Sequence, residues 1–234
     1  MVALALASLP RVGFVDRHDA GERLGYLLLE HLAQERRPLV IIALSRGGVP
    51  VAIQVARLLH APLDLLCASK LKAPGQSALS IGALVLAAKP CSVVNPRMVE
   101  AVGATEGDVD AEQRRLCEEL ELHRQAAIGG RAPLPLDGKV AVLVDDGIVT
   151  GATMRAALMA LADSRSARAI VAVPVAPLGI EQRLGRNECD FVCVLLRPEL
   201  GRLSEYYTDF EPVNEAHVVE LLRPSGNAAQ TPEG

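Results

Sequence analysis

The sequence predicts an α/β fold with a mainly parallel sheet flanked by helices, and two observations support this. First, four short apolar runs rich in Val and Ile are bounded by turn or charged residues, a pattern typical of strands covered on both faces. Second, amphipathic segments alternate with these runs, as in units with parallel strands and crossover helices. The runs are Leu39–Leu44, Val140–Val144, Ala169–Val173 and Phe191–Leu196.

The remaining elements have weaker or different patterns. A helix is predicted over Asp19–Arg36, because its leucines fall on one stripe. Another is predicted over Pro50–Leu59, where Pro suits the first helical position. Two further helices are predicted over Asp108–Ala127 and Thr153–Asp163, and two weaker strands over Leu63–Ala68 and Ile81–Ala88.

The length of 234 residues predicts one domain over residues 1–223, with a helical insertion at about 96–130. Residues 224–234 have no apolar face, and we expect them to be disordered. Hydrophobic residues make up 50% of the chain but aromatic residues only 3%, so the core is predicted to be aliphatic.

The charge balance and the cysteines restrict the partners and the compartment. With 24 Lys and Arg against 28 Asp and Glu, the net charge is −4, which argues against a nucleic-acid or membrane-surface binder. No apolar run approaches the ~20 residues of a membrane span. The five cysteines lack the spacing of metal ligands and indicate free thiols in a reducing, cytoplasmic compartment.

The most informative segment, Val140–Ala157, reads VAVLVDDGIVTGATMRAA. A buried strand ends in Asp145 and Asp146, and a loop of small residues then leads into a helix. Ligands of open parallel sheets bind beyond the carboxyl ends of the strands. A Gly- and Thr-rich loop entering a helix directs backbone N–H groups and hydroxyls at one point, and the helix dipole adds to them. The segment therefore predicts a phosphate site.

The two adjacent carboxylates, Asp145 and Asp146, are expected to point to opposite sides of the strand end, so they are poorly placed to share one proton. They suit hydrogen bonds from sugar hydroxyls, or a hydrated Mg²⁺ ion. Neither the GK[ST] of a P-loop nor the G-x-G-x-x-G of a dinucleotide fold occurs here. The unit is therefore predicted to bind a sugar phosphate.

The segment VLVDDGIVTGAT resembles the ribose-phosphate signature of type I phosphoribosyltransferases, which use 5-phosphoribosyl 1-pyrophosphate (PRPP) as donor. Further segments resemble one poorly characterised bacterial branch of that family, and together the likeness covers roughly residues 14–222. These supporting segments are Phe14–Gly21 (FVDRHDAG), Ala43–Ala52 (ALSRGGVPVA), Lys70–Gly82 (KLKAPGQSALSIG) and Tyr206–Phe210 (YYTDF).

The resemblance implies an enzyme that uses PRPP and Mg²⁺ to transfer phosphoribosyl to a nitrogenous acceptor and releases pyrophosphate. It assigns the ribose hydroxyls and the metal to Asp145 and Asp146. It also implies that the loop after these acids holds the 5-phosphate. The loop residues are Gly147, Ile148, Val149, Thr150, Gly151, Ala152 and Thr153.

The same resemblance assigns the other ligand groups. Pyrophosphate maps to the segment after the first strand, with Arg46 as a catalytic cation and Lys70 of a mobile loop as a second one. The acceptor is expected in a hood, a small subdomain built from the chain ends. The pyrophosphate residues are Ser45, Arg46, Gly47 and Gly48, and the acceptor residues are Tyr206, Tyr207 and Phe210.

Two other functions stay open at this point. Some relatives keep the donor pocket but act as ligand sensors, so a PRPP-binding regulator without transferase activity is an alternative. A remote alternative is a serine hydrolase, because Ser45 lies between a strand and a helix and His217 follows in hydrolase order. The sequence leaves the acceptor undefined, and a homodimer is open.

Overall fold

The computed structural model describes residues 13–87, 89–129, 131–185 and 189–222, so the predicted tail over 224–234 lies outside the described residues. Its centre is one seven-stranded sheet in the order β4-β3-β2-β1-β5-β6-β7. Five neighbouring strands of this sheet, β2, β1, β5, β6 and β7, run parallel to one another. At one edge, β3 pairs antiparallel with β2, and β4 pairs antiparallel with β3. The predicted α/β class is confirmed. The strands are β1 Leu39–Leu44, β2 Leu63–Ala73, β3 Gln76–Leu86, β4 Pro90–Val94, β5 Val140–Val144, β6 Arg168–Pro177 and β7 Asp190–Arg197.

Helices cover both faces of the sheet. Hydrophobic side chains of α1, α2, α4 and α7 form one core layer, and those of α5 and α6 form the other. No helix among the described residues is both long and apolar enough to cross a membrane. The helices are α1 Arg17–His31, α2 Ser45–Leu58, α3 Pro96–Ala101, α4 Glu106–Ile128, α5 Ala152–Leu161, α6 Ile180–Leu184 and α7 Glu215–Leu222.

The register of the central strands fixes where the candidate site lies. In β5, all five residues are buried, and the strand pairs with β1 on one side and β6 on the other. Ala43 is opposite Val144, so β1 and β5 end at the same edge of the sheet. The residues that follow these two strands are therefore neighbours in space, although about 100 residues separate them along the chain.

The second helix begins earlier than predicted. The sequence places its start at Pro50, but α2 begins at Ser45 and Pro50 lies inside it. The chain leaves β1 without a connecting loop, because Ser45 has a left-handed backbone with φ of 60°. The segment expected to be a pyrophosphate loop is thus the first turn of a helix.

The fourth helix also begins before its predicted start at Asp108. A capping box explains the difference: the Thr105 hydroxyl accepts from the Asp108 N–H, and the Asp108 carboxylate accepts from the Thr105 N–H at 2.8 Å. The antiparallel strand β4 was not predicted, because its five residues carry little apolar periodicity.

The close approach of α1 and α2 depends on Gly21. A Cβ atom at this position would lie 2.6 Å from the Val51 carbonyl oxygen and 3.0 Å from its Cα, so backbone would have to move. Gly107 in α4 has open space around it, and the nearest atom to a Cβ there is 3.7 Å away.

We therefore expect opposite effects of the same substitution at these two glycines. Gly21→Ala should lower the free energy of unfolding by about 1–3 kcal/mol, because the helix pair is overpacked. Gly107→Ala should raise it by about 0.5–1 kcal/mol, because Ala favours the helix. Urea unfolding monitored by circular dichroism measures both values, and equal effects at the two positions would contradict the packing described.

Candidate functional site

The acid pair lies directly beyond β5, at the edge where β1 also ends. The Asp146 backbone N–H donates to Asp145 Oδ1 at 2.9 Å. The first turn of α2 lies against this pair, because two glycines leave room for it. A Cβ on Gly47 would overlap Asp146 Oδ2, and one on Gly48 would be 2.7 Å from the Val144 carbonyl oxygen. The predicted pyrophosphate and ribose segments are therefore in contact.

The carboxylate of Asp146 is held by Arg17, a residue with no functional role predicted from the sequence. Arg17 Nη2 lies 2.8 Å from Asp146 Oδ2, and both side chains are 11% exposed. Arg17 Nε donates to the same oxygen at 2.9 Å. The guanidinium also covers the Phe210 ring at 3.8 Å and donates to the Glu211 carbonyl oxygen at 2.9 Å. The signal that could have identified Arg17 is its place in FVDRHDAG, one residue after the N-cap Asp16 of α1.

The segment before α1 and the segment after β7 meet at the same acid. The Phe14 N–H donates to the Tyr206 carbonyl oxygen at 2.7 Å, which joins the segment before α1 to the segment after β7. The Tyr207 hydroxyl donates to the Asp146 carbonyl oxygen at 2.5 Å. Through these contacts, both ends of the described fold support Asp146.

This packing corrects the prediction for Tyr207. Its ring packs against Phe14 and Phe210, with centroids 5.3 and 4.8 Å away, and the residue is only 6% exposed. Little ring surface is left for stacking on a planar base, so Tyr207 supports the site wall. For the half-buried Tyr206 and Phe210, an acceptor role stays a prediction.

The two acids have different electrostatic surroundings. Burial raises the pKa of Asp145 well above its ordinary value, and the neighbouring Asp146 carboxylate raises it further. Burial also raises the pKa of Asp146, but the Arg17 guanidinium counteracts this effect. Lys70 favours the charged form of both acids. Among the described residues, no cation is in direct contact with the Asp145 carboxylate, whereas Arg17 contacts Asp146.

The loop after the acids leads into α5, as predicted. Ile148 is buried and its N–H donates to the Val175 carbonyl oxygen at 2.9 Å, which anchors the loop on β6. Gly151 has a left-handed backbone with φ of 84° and is the N-cap of α5. Val149 and Thr150 are exposed. The exposed tip and the N–H groups at the start of α5 are suited to an anion.

The predicted cations line different cavities. Lys70 borders a cavity of about 1100 Å³ together with Thr150, Ala152 and Thr153 of the loop. Arg46 is exposed and instead borders, with Ser45, a cavity of only about 20 Å³. Of the two cavities, only the one beside Lys70 is lined by residues of the 147–153 loop.

The donor set fits Mg²⁺ only together with a ligand. Among the described residues no group of three or more His, Cys, Asp or Glu side chains could hold a metal ion. Mg²⁺ commonly binds one or two carboxylates and takes its other oxygens from water and substrate phosphates. Asp145 is suited to this mode, because the carboxylate of Asp146 is already paired with Arg17.

The geometry does not support a serine hydrolase. The Ser45 hydroxyl donates to the Ala68 carbonyl oxygen at 3.4 Å. The proposed partner His217 lies exposed on α7, where its Nδ1 is 3.9 Å from Glu220. The nucleophile and the base of that alternative therefore have unrelated partners.

The fold and the site together define a class of α/β protein. In this class, an acid pair, a small-residue loop and the start of a helix lie at the carboxyl edge of a parallel sheet. Residues 16–197 match the phosphoribosyl transferase domain, which is more than half of the chain. The chain belongs to the phosphoribosyl transferase family.

One solved structure and two proteins found by sequence are similar to the chain. The crystal structure of TT1426 from Thermus thermophilus has a TM-score of 0.71 and 31% identity, with the match covering 90% of this chain and 98% of that one. Proteins of Mycobacterium tuberculosis strains CDC 1551 and H37Rv, whose names assign them provisionally to the phosphoribosyl transferases, are each 35% identical over 210 residues. The match covers 89% of this chain and 46% of theirs, so the chain spans less than half their length.

A double-mutant cycle tests the pairing of Arg17 with Asp146. Arg17→Met should lower the free energy of unfolding by about 3–5 kcal/mol, because it leaves a buried carboxylate without its partner. Adding Asp146→Asn should recover much of this loss, because the uncompensated charge is removed. Denaturant unfolding of the four proteins gives the coupling, and additive effects would show that the pair is not formed.

Asp145 should reduce stability at neutral pH. The pKa of Asp145 is higher in the folded than in the unfolded chain. The stability that its protonated form contributes is therefore fully present below the unfolded pKa of about 3.9, and it is lost as pH rises through the folded pKa. Asp145→Asn removes this unfavourable charge and should stabilise the protein by about 1 kcal/mol at pH 8.

Melting temperatures of both proteins between pH 4 and 8, without Mg²⁺, measure this effect. The advantage of the Asn variant should shrink toward pH 4, and a constant difference would show that the Asp145 pKa is not raised.

Proposed function

We propose that the protein uses PRPP and Mg²⁺ to transfer a phosphoribosyl group to a nitrogenous acceptor, with release of pyrophosphate. Membership in the phosphoribosyl transferase family supports the class of reaction. The observation that carries the proposal is the meeting of three segments at one sheet edge. These segments are the acids Asp145 and Asp146, the loop over 147–153 and the first turn of α2.

Each segment suits one part of the donor. Asp145 would accept hydrogen bonds from the ribose hydroxyls. The 147–153 loop and the start of α5 present N–H groups and the Thr150 and Thr153 hydroxyls to the 5-phosphate. The first turn of α2 presents its N–H groups to the pyrophosphate, and Gly47 and Gly48 add no side chains to that turn.

The metal would be held by Asp145 together with oxygens of the donor. When bound, Mg²⁺ neutralises negative charge on the pyrophosphate. Asp146 contributes by position: its carboxylate fixes Arg17 and lies under Gly47, so it holds the first turn of α2 against the donor.

The reaction breaks the bond between the anomeric carbon and the pyrophosphate oxygen and forms a bond from that carbon to the acceptor nitrogen. The pyrophosphate leaves with the bonding electron pair, and the acceptor nitrogen gives up its proton to solvent water. The protein supplies no covalent nucleophile. It orients the two reactants and stabilises charge with preset dipoles and the Lys70 cation.

A PRPP sensor without transferase activity is a second candidate, and the burial of Tyr207 favours it, because one of three predicted acceptor residues is committed to packing. Pyrophosphate release measured with PRPP, Mg²⁺ and a panel of purine, pyrimidine and amine acceptors separates the two. Release with any acceptor supports the transferase, whereas PRPP binding without release across the panel supports the sensor.

The donor site is tested by calorimetric titration of PRPP in the presence of Mg²⁺. Asp145→Asn should weaken PRPP binding at least about tenfold, because it removes a charge-assisted contact to the ribose or the metal. Asp110→Asn on the exposed surface of α4 is the matched control and should bind like the unsubstituted protein. Equal PRPP affinity of both variants, or no PRPP binding by the unsubstituted protein, would contradict the proposal.

A further inference from the structure

The cavity of about 1100 Å³ beside the start of α5 contains more than the predicted donor residues. Thr150 and Thr153 form one part of its wall and Lys70 of β2 another. Two arginines without a predicted role, Arg155 of α5 and Arg183 of α6, also line it. We call it the Arg155–Arg183 cavity.

The charges that line this cavity are of one sign. Lys70, Arg155 and Arg183 form no ion pair or side-chain hydrogen bond with any other described residue, and all three are exposed. No acidic residue is among the described residues that line the cavity. This is unusual in a chain with net charge −4, where acids outnumber bases. Cations that line a cleft without nearby acids focus a positive potential that attracts anions.

The cavity is also too large for the 5-phosphate alone. Neither Asp145 nor the first turn of α2 lines it, so the ribose and pyrophosphate of the donor would lie outside. Its volume of about 1100 Å³ lies slightly above the range typical of small-molecule sites, roughly 300–1000 Å³. Part of the remaining wall is apolar and is formed by Val93, Val94 and Met98.

We propose that the Arg155–Arg183 cavity binds a second ligand alongside PRPP, an organic phosphate with an apolar body. Guanidinium groups of Arg155 and Arg183 can each donate two hydrogen bonds to phosphate oxygens. The apolar body packs against Val93, Val94 and Met98. The position of the donor in this arrangement rests on the proposed function, whereas the anion site itself does not.

The test uses 1-naphthyl phosphate, a dianionic phosphate on an apolar ring, and follows its fluorescence during titration. The unsubstituted protein should bind it with and without saturating PRPP and Mg²⁺. Arg155→Gln and Arg183→Gln should each weaken binding about tenfold, because each removes a charged hydrogen-bond donor. Arg114→Gln, which removes an exposed arginine of α4 outside the cavity, should leave the affinity unchanged.

Two further readouts separate ligand binding from a structural role. Neither Arg155→Gln nor Arg183→Gln should lower the melting temperature without ligand, because each relieves repulsion between unpaired cations. Uncharged 1-naphthol should bind the variants and the unsubstituted protein alike.

Three results would overturn the inference. These are no binding of 1-naphthyl phosphate at about 1 mM, equal affinity of the arginine variants and the unsubstituted protein, and displacement of the probe by PRPP. If PRPP does not bind but the probe binds through Arg155 and Arg183, the proposed function fails while the anion site stands.

Discussion

The burial of one carboxylate shapes how the first helix and the segment after β7 are arranged. Asp146 is 8% exposed at the end of a strand with no exposed residue, and an unpaired charge there would be costly. Arg17 provides the counter-charge, and its own guanidinium is fixed by Phe210 and the Glu211 carbonyl oxygen. The first helix and the segment after β7 therefore have to meet beside β5, which closes the fold around the candidate site.

This pairing makes two adjacent, chemically identical residues unequal. Asp146 is occupied by protein contacts through its carboxylate and its backbone, whereas no cation among the described residues is in contact with the Asp145 carboxylate. Burial and the neighbouring carboxylate keep Asp145 in an unfavourable state in the absence of a ligand. A ligand that brings metal or hydroxyl groups would relieve this cost, as is common where stability is reduced for the sake of binding. The Arg155–Arg183 cavity has the opposite charge, and its cations likewise have no ion-pair partner among the described residues.

The parts of the fold that could be predicted are those with a strong local pattern. Strands β1 and β5 match their predicted limits, because fully buried strands are continuous apolar runs. The start of α2 could not be predicted, since it depends on the left-handed backbone of Ser45. Within the site, the acid pair and the following loop were recognisable from their order along the chain. Arg17 was not, because it acts on an acid 129 residues away.

By itself, the sequence determined the fold class, the two central strands and the segment that carries the acids and the small-residue loop. These features depend on neighbours along the chain, through periodicity, residue size and helix starts. Only the tertiary structure decided that Asp146 is paired with Arg17, that Tyr207 is packed rather than free, and that Arg46 and Lys70 face different cavities. Such roles depend on which strands lie side by side, and no local sequence pattern specifies the strand order of the sheet.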